Sequence, residues 1–197
     1  KKIPNKILHE YTFKPKKPDE WLTNKNTWLT TTDIREVMIQ YEKLYKNFKF
    51  YGPIPVDCPT EIYCELSNLN VKRMFNKKIN KLGVVFNLDK HNEPGSHWVA
   101  LLVDVTKNII VYYDSVGNDP PYHIKRFIDI LKKNYKKIDR NMDILVNKKQ
   151  HQFQGSECGV YSMNFLIESL KGTTFEQFQK KKISDYSVNI LRDYLYR

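Results

Sequence analysis

A chain of 197 residues with 41% hydrophobic, 13% aromatic and 28% charged residues has the make-up of one globular domain, or one with a small appendage, and excludes a disordered or fibrous architecture. Lysine and arginine number 33 against 22 aspartates and glutamates, a net charge of +11 that favours acidic partners; it reads either as a solvated lysine-rich surface or as contact with nucleic acid. No apolar run approaches the roughly 18 residues a membrane span needs, so no membrane partner is expected.

The chain opens at Lys1 with KKIPNKILHE, without an initiator Met or a signal-type apolar stretch; no targeting address is readable, and a processed or trimmed piece is expected. Residues 1–27 read as an N-terminal arm, extended where KPKKPDEW at 14–21 carries X-Pro steps that disfavour helix, and residues 28–197 as the main domain. A helix is expected from near Asp33, with Asp33 as cap, Glu36 completing a capping box, and Ile34, Val37, Met38, Tyr41 and Leu44 along its core face. The segment PTEIYCELSNLNVKRMF has a weaker helical period that groups Ile62, Leu66 and Leu69. Cys58 and Cys64 read as small packed residues. With Cys158 the cysteines are odd in number and form no CxxC pair, so neither a disulfide framework nor a metal site is expected, and a reducing compartment follows.

After Asn80 the pattern changes. LGVVFNL, HWVALLVDV and NIIVYYD are short, β-branched and aromatic, hence strands, with Thr106–Asn108 as the hairpin turn between the second and third. Helical period returns over 121–137 through Ile124, Phe127, Ile128, Leu131 and Tyr135, and MDILVN reads as a short strand. The run from Cys158 to Leu170 reads as a buried helix closed by Gly172, and amphipathic pieces near Phe175–Lys182 and Ser187–Tyr196 end the chain. That order of elements indicates an α+β fold.

The segment HQFQGSECGVYSMNFL sets Cys158 between a turn and an apolar helix, so its thiol should sit at a helix N-terminus, where unpaired N–H groups and the helix dipole favour the thiolate nucleophile. An imidazole must take and return its proton. His9, His91, His123 and His151 read as solvated, whereas His97 opens a strand after the loop NEPGS, at a sheet end that presents a side chain rigidly. Hairpin pairing brings Asp114, at the end of NIIVYYD, back beside His97, where a carboxylate can orient the imidazole and stabilise its cation. Asp104 lies in the same hairpin but near its turn, far from His97. Either Gln152 or Gln154 can supply a side-chain amide for the oxyanion that forms on acyl attack, beside the backbone N–H of Cys158.

The ordered set HW (His97, Trp98), YYDSVG (Asp114) and Q-x5-CG (Gln152, Cys158, Gly159) resembles the clan of cysteine proteases that includes adenovirus protease and the SUMO/ubiquitin-like-protein proteases. Within it, GSHWVALLVDV, YYDSVGNDPP, HQFQGSECGVYSMNF, YGPIPVDCP and LGVVFNLD look most similar to the polyprotein-processing proteases of large DNA viruses such as African swine fever virus, over roughly residues 28–170. Some of those enzymes carry Asn as third member, where this chain has Asp114, as in the SUMO-protease branch.

The resemblance implies a central mixed sheet flanked by helices, with Cys158 as nucleophile, His97 as general base, Asp114 as orienter and Gln152, six positions before the cysteine, as oxyanion donor. It also implies that Trp98 and Trp28 wall a narrow slot, which admits little beyond glycine because an aromatic tunnel excludes branched side chains. The alternative for each Trp is core packing. The expected partner is a protein substrate cut after Gly-Gly or a similar pair, either a viral precursor in host cytoplasm or virion or a ubiquitin-like conjugate, with no cofactor. Competing readings are an acetyl-carrying Cys158 on the same fold and a basic nucleic-acid-binding module.

Overall fold

The computed structural model describes residues 14–58, 60–181 and 183–197; residues 1–13 of the expected arm, His9 among them, lie outside that set. One sheet of five strands runs in chain order: β1 (Phe48–Pro55), β2 (Lys81–Asn87), β3 (Trp98–Asp104), β4 (Ile109–Tyr113) and β5 (Asp143–Val146). β1 pairs parallel to β2 and β4 parallel to β5, while β2–β3 and β3–β4 are antiparallel, so the sheet is mixed as expected. The helices are α1 (Thr31–Leu44), α2 (Val71–Asn76), α3 (Tyr122–Lys136), α4 (Cys158–Leu170), α5 (Phe175–Lys180) and α6 (Asp185–Leu195).

β3 is buried along its whole length, and the twofold alternation of strand side chains divides it between two cores. Ala100 and Leu102 face a core shared with Val37 and Met38 of α1, Leu166 of α4 and Val188 of α6. Val99, Leu101 and Val103 face the opposite core, with Phe127 and Leu131 of α3 and Met74 of α2. Helices therefore cover both faces, which is why a central strand reads as an unbroken apolar run. α4 lies deepest: all its residues except Asn164 and Glu168 are buried. The chain leaves it through Lys171 and Gly172, the latter at φ 101°, a left-handed conformation that closes a helix cheaply only with glycine. The outer face of α3 exposes Lys132, Lys133 and Lys136 to solvent, opposite its buried stripe of Ile124, Phe127, Leu131 and Tyr135.

Three local expectations are corrected, and one strand comes in addition. The segment FKFYGPIP forms β1, a strand that its Gly and Pro residues disguise and whose place at the sheet's edge tolerates them. The cap of α1 is Thr30, with Asp33 as the third helical residue completing a capping box with it; helix and box exist, three residues earlier than expected. The weakly periodic segment after residue 59 is not one helix but a 3-10 turn at Glu65–Asn68 followed by α2, because the Asn70 side chain accepts from Arg73 N–H and starts a new helix there. Finally, Cys58 and Cys64 are joined in a disulfide with their Cα atoms 5.9 Å apart, leaving Cys158 as the free cysteine. Cys58 N–H donates to Pro55 and Glu61 N–H to Asp57, and these tight turns accompany the pairing of two thiols six residues apart. Parity counting cannot detect that, and these two residues lend no support to a reducing compartment.

Residues 14–27 pack on the end of the molecule. Lys17 N–H donates to Arg197 and Arg197 N–H to Pro15, and Trp21 is buried in the α4 core, edge to face with Tyr196 at 4.9 Å between ring centroids. Among the described residues no helix is long and apolar enough to cross a membrane.

Candidate active site

β3, β4 and the start of α4 meet at one end of the sheet. His97 stands one residue before β3, and its carbonyl accepts from Leu88 N–H, extending the β2–β3 ladder by one step. The preceding loop is tied down by polar side chains: Asp89 accepts from Gly95 N–H at 3.0 Å and from the Ser96 hydroxyl, and Asn87 accepts from Ser96 N–H. The imidazole thus projects from a fixed backbone.

The β3–β4 register sets Ala100 opposite Tyr113, so Asp114 returns to within a side chain's reach of His97, as hairpin geometry predicts. His97 Nε2–H donates to Asp114 Oδ1 at 2.7 Å, and Asp114 is fully buried. The same oxygen accepts from Val116 N–H at 2.9 Å, and the Asp114 carbonyl accepts from the buried Asn147 amide and from Gly117 N–H. Gly117 lies at φ 89°, and a Cβ there would come within 3.0 Å of the Lys148 carbonyl oxygen, so this tight turn requires glycine. Asp104, by contrast, sits at the far end of the hairpin and caps its turn through Thr106 and Lys107 N–H.

Cys158 is the first residue of α4 and almost entirely buried. Burial opposes charge on the His97 ring, but its bonds to Asp114 and to the Cys158 sulfur, with the negative charge of both, outweigh that and raise its pKa to about 9. That value keeps the ring an imidazolium at neutral pH, between the Asp114 carboxylate and the sulfur at the start of α4.

Gln152 is buried and held by both ends of its amide. Ser115 Oγ–H donates to its Oε1 at 2.7 Å, and its Nε2–H donates to the Gln154 carbonyl at 2.6 Å. Its backbone N–H and that of His151 both donate to the Ser115 carbonyl. The Gln154 side chain is exposed, so of the two glutamines only Gln152 presents a fixed amide.

The two tryptophans differ. Trp98 is only 5% exposed and its indole N–H donates to the Leu29 carbonyl at 3.0 Å. Trp28, one residue before Leu29, is 43% exposed. The Leu29 side chain packs on Gly159, where a Cβ would approach it within 3.2 Å.

Of the other described histidines, His91 is exposed as expected, whereas His151 and His123 are not the solvated groups expected. His151 is buried, with Nδ1 3.0 Å from the Tyr113 hydroxyl, and its pKa is lowered first by burial and then by the charge of Lys149. His91 pairs with the buried Asp57 at 2.7 Å, and His123 lies 3.0 Å from the Thr60 hydroxyl. Each has fixed partners because the turns around it are packed. Among the described residues no group of three or more His, Cys, Asp or Glu side chains is placed to hold a metal ion.

Sequence reasoning missed Ser115, Asn147, Glu157, Asn189 and Arg192. Glu157, immediately before Cys158, is fully buried and accepts from the Ser156 backbone N–H and hydroxyl and from the Asn189 amide. Burial raises its pKa, but those bonds and the charge of Arg192 prevail and lower it. For Arg192 a signal existed: its spacing from Val188 and Leu195 places a guanidinium on the buried face of α6.

Residues 56–197 match the Ulp1 protease family, C-terminal catalytic domain. The chain is 38% identical to a thiol protease of Acanthamoeba polyphaga mimivirus over 94% of its own length and 61% of that protein's. It is 33% identical to a cysteine protease of African swine fever virus over 60% of its length and 44% of the relative's. It thus spans less than two thirds of these curated relatives. In structure it is similar to a crystallised African swine fever virus protease, with a TM-score of 0.79, 24% identity, and coverage of 93% of this chain and 71% of the other. It is also similar to the yeast Ulp1 protease domain in complex with the yeast ortholog of SUMO, with a TM-score of 0.59, 21% identity, and coverage of 97% and 90%. These structural likenesses establish a shared fold.

Proposed function

The chain belongs to the Ulp1 protease family, and from that premise we propose that it is a thiol endopeptidase that cuts after Gly-Gly or a similar pair of small residues in a protein substrate, acting in viral maturation. The observation that carries the reading is the His97–Asp114 bond of 2.7 Å on an imidazole whose other interaction is with the Cys158 sulfur. The catalytic unit is taken as residues 28–197, with residues 1–27 an appendage.

In this reading the Cys158 thiolate attacks the carbonyl carbon of the scissile bond, and the resulting oxyanion is met by the Gln152 amide and the Cys158 backbone N–H. The His97 imidazolium, oriented by Asp114, gives its proton to the leaving amine as the C–N bond breaks, which leaves an acyl-enzyme. Neutral His97 then takes a proton from water, whose oxygen attacks the thioester carbonyl, and thiolate and imidazolium are restored. Trp28 and Trp98 wall the approach; the exposure of Trp28 suits contact with an extended glycine-rich strand, while Trp98 is largely committed to bracing Leu29. The cellular setting proposed is host cytoplasm or virion.

A second reading, a deconjugase acting on a ubiquitin-like modifier, draws on the relatives. African swine fever virus proteins 30% identical to this chain are named SUMO-1 cysteine proteases, and a similarly folded Chlamydia trachomatis effector is seen bound to ubiquitin. A fluorogenic peptide ending in Gly-Gly tests the chemistry common to both readings. Ubiquitin and SUMO carrying a C-terminal electrophile separate them: peptide cleavage without labelling of Cys158 by either modifier removes the deconjugase. Absence of Cys158-dependent cleavage of any Gly-Gly substrate overturns both.

A further inference from the structure

Outside the proposed catalytic set Arg192, like Glu157, is a charged residue with no exposed surface. Its planar fork reaches two carbonyls from distant parts of the chain: Nη1 donates to Thr27 and Nη2 to Ser156, each at 3.0 Å. Nε donates to Asn189 Oδ1 at 3.1 Å, and the guanidinium carbon lies over the Trp21 ring, 4.9 Å from its centroid. Asn189, one turn earlier on α6, donates to Glu157 Oε1 at 3.0 Å. Two residues of α6 therefore grip Ser156 and Glu157, the two residues that lead directly into Cys158. One of them also grips Thr27, the residue before Trp28.

Stability alone does not call for this arrangement. An apolar side chain of like volume fills a buried space without the desolvation cost of a charge. What it cannot do is hold two carbonyls in register, a task suited to the rigid guanidinium fork. We propose that Arg192 is a positioning residue of the active site: through Ser156 and the Asn189–Glu157 bond it sets the turn that presents Cys158, and through Thr27 it sets the wall that presents Trp28. The C-terminal helix thereby couples the nucleophile to the substrate slot. This rests on the reading of Cys158 as nucleophile and Trp28 as wall.

The test compares Arg192→Lys, which keeps the charge but loses the fork, with Asn189→Ala, which releases Glu157 while leaving both carbonyl contacts of Arg192 available. Each is assayed with a fluorogenic Gly-Gly peptide at a temperature where circular dichroism shows it folded. Arg192→Lys is expected to lower kcat about tenfold or more and raise KM about threefold, since small misplacements of reacting groups cost heavily. Asn189→Ala is expected to lower kcat about fivefold with KM within about twofold of wild type. Iodoacetamide labelling of Cys158, followed by peptide mapping, is expected to slow in both variants and decides the matter if the peptide is not cleaved. Folded variants with wild-type kcat, KM and labelling rate make Arg192 a fold element only and overturn the proposal. If Arg192→Lys gives no cooperative melt, Asn189→Ala decides alone. Cleavage that persists in Cys158→Ala sinks the protease reading instead, a result distinct from any of these.

Discussion

Ser115 Oγ donates to Gln152 Oε1 at 2.7 Å, so the residue that follows the carboxylate partner of His97 also fixes the glutamine amide. Because the Gln154 carbonyl can only accept, the Gln152 nitrogen must face it, and Ser115 must donate to the oxygen. The turn that follows β4 thus orients two side chains of the proposed site at once.

Ser115→Ala is expected to lower kcat about tenfold through a looser Gln152, and Gln152→Ala to lower it by about 10²–10³, the range for loss of one oxyanion donor. Alkylation of Cys158 forms no oxyanion and should keep its wild-type rate in both. A matching fall in the alkylation rate would mean that Ser115 acts on the Cys–His pair rather than on the glutamine.

Cys158→Ala and His97→Ala are expected to abolish turnover of a Gly-Gly peptide. Asp114→Ala should lose roughly 10³-fold in kcat/KM and remain measurable above both, because losing an orienter leaves nucleophile and base in place. Steady-state kinetics on all three variants, with Asp114→Ala falling to the level of Cys158→Ala, would assign Asp114 more than an orienting role.

The pKa of His97 is raised to about 9, and its protonated form is needed to return a proton to the leaving group. The alkaline limb of kcat/KM should therefore fall with an apparent pKa of about 9. In Asp114→Asn that limb should move to lower pH, since the carboxylate is one of the groups raising the value. The same sign holds for stability: the His97 contribution is fully present below its ordinary value of 6.5 and is lost as pH rises through about 9. Urea unfolding of wild type and His97→Ala at pH 6 and at pH 10 measures it, and a difference that grows with pH contradicts the assignment.

At Gly159 an added Cβ meets Leu29 Cδ1 and Ile34 Cδ1 at 3.2 Å and Leu29 Cβ at 3.3 Å. Gly159→Ala is expected to cost about 1–3 kcal/mol, as overpacking does, and to raise KM by displacing the Trp28 segment. Thermal melts with peptide kinetics test both halves; a destabilised protein with unchanged KM detaches Leu29 from the Trp28 wall.

Much of the site was legible in the chain because it depends on local order. The apolar alternation of β3 and β4 made a hairpin, and a hairpin returns Asp114 to His97 whatever else packs around it. The apolar run after Cys158 marked a buried helix and so placed the thiol at its N-terminus. The preference for Gln152 over Gln154 and the roles of the two tryptophans came instead from the resemblance, since a lone glutamine in a loop carries no periodic signal.

What the tertiary structure alone decided is every contact made across the chain without periodicity. Long-range pairing ties the Gln152 amide to Ser115, and the disulfide joins Cys58 to Cys64. Packing made Trp98 a brace for Leu29 and left Trp28 exposed. Arg192 shows the reason most clearly. Helical period can put a guanidinium on a buried face, but only the packing of α6 against two distant segments supplies the carbonyls of Thr27 and Ser156 that allow a charge to stay there.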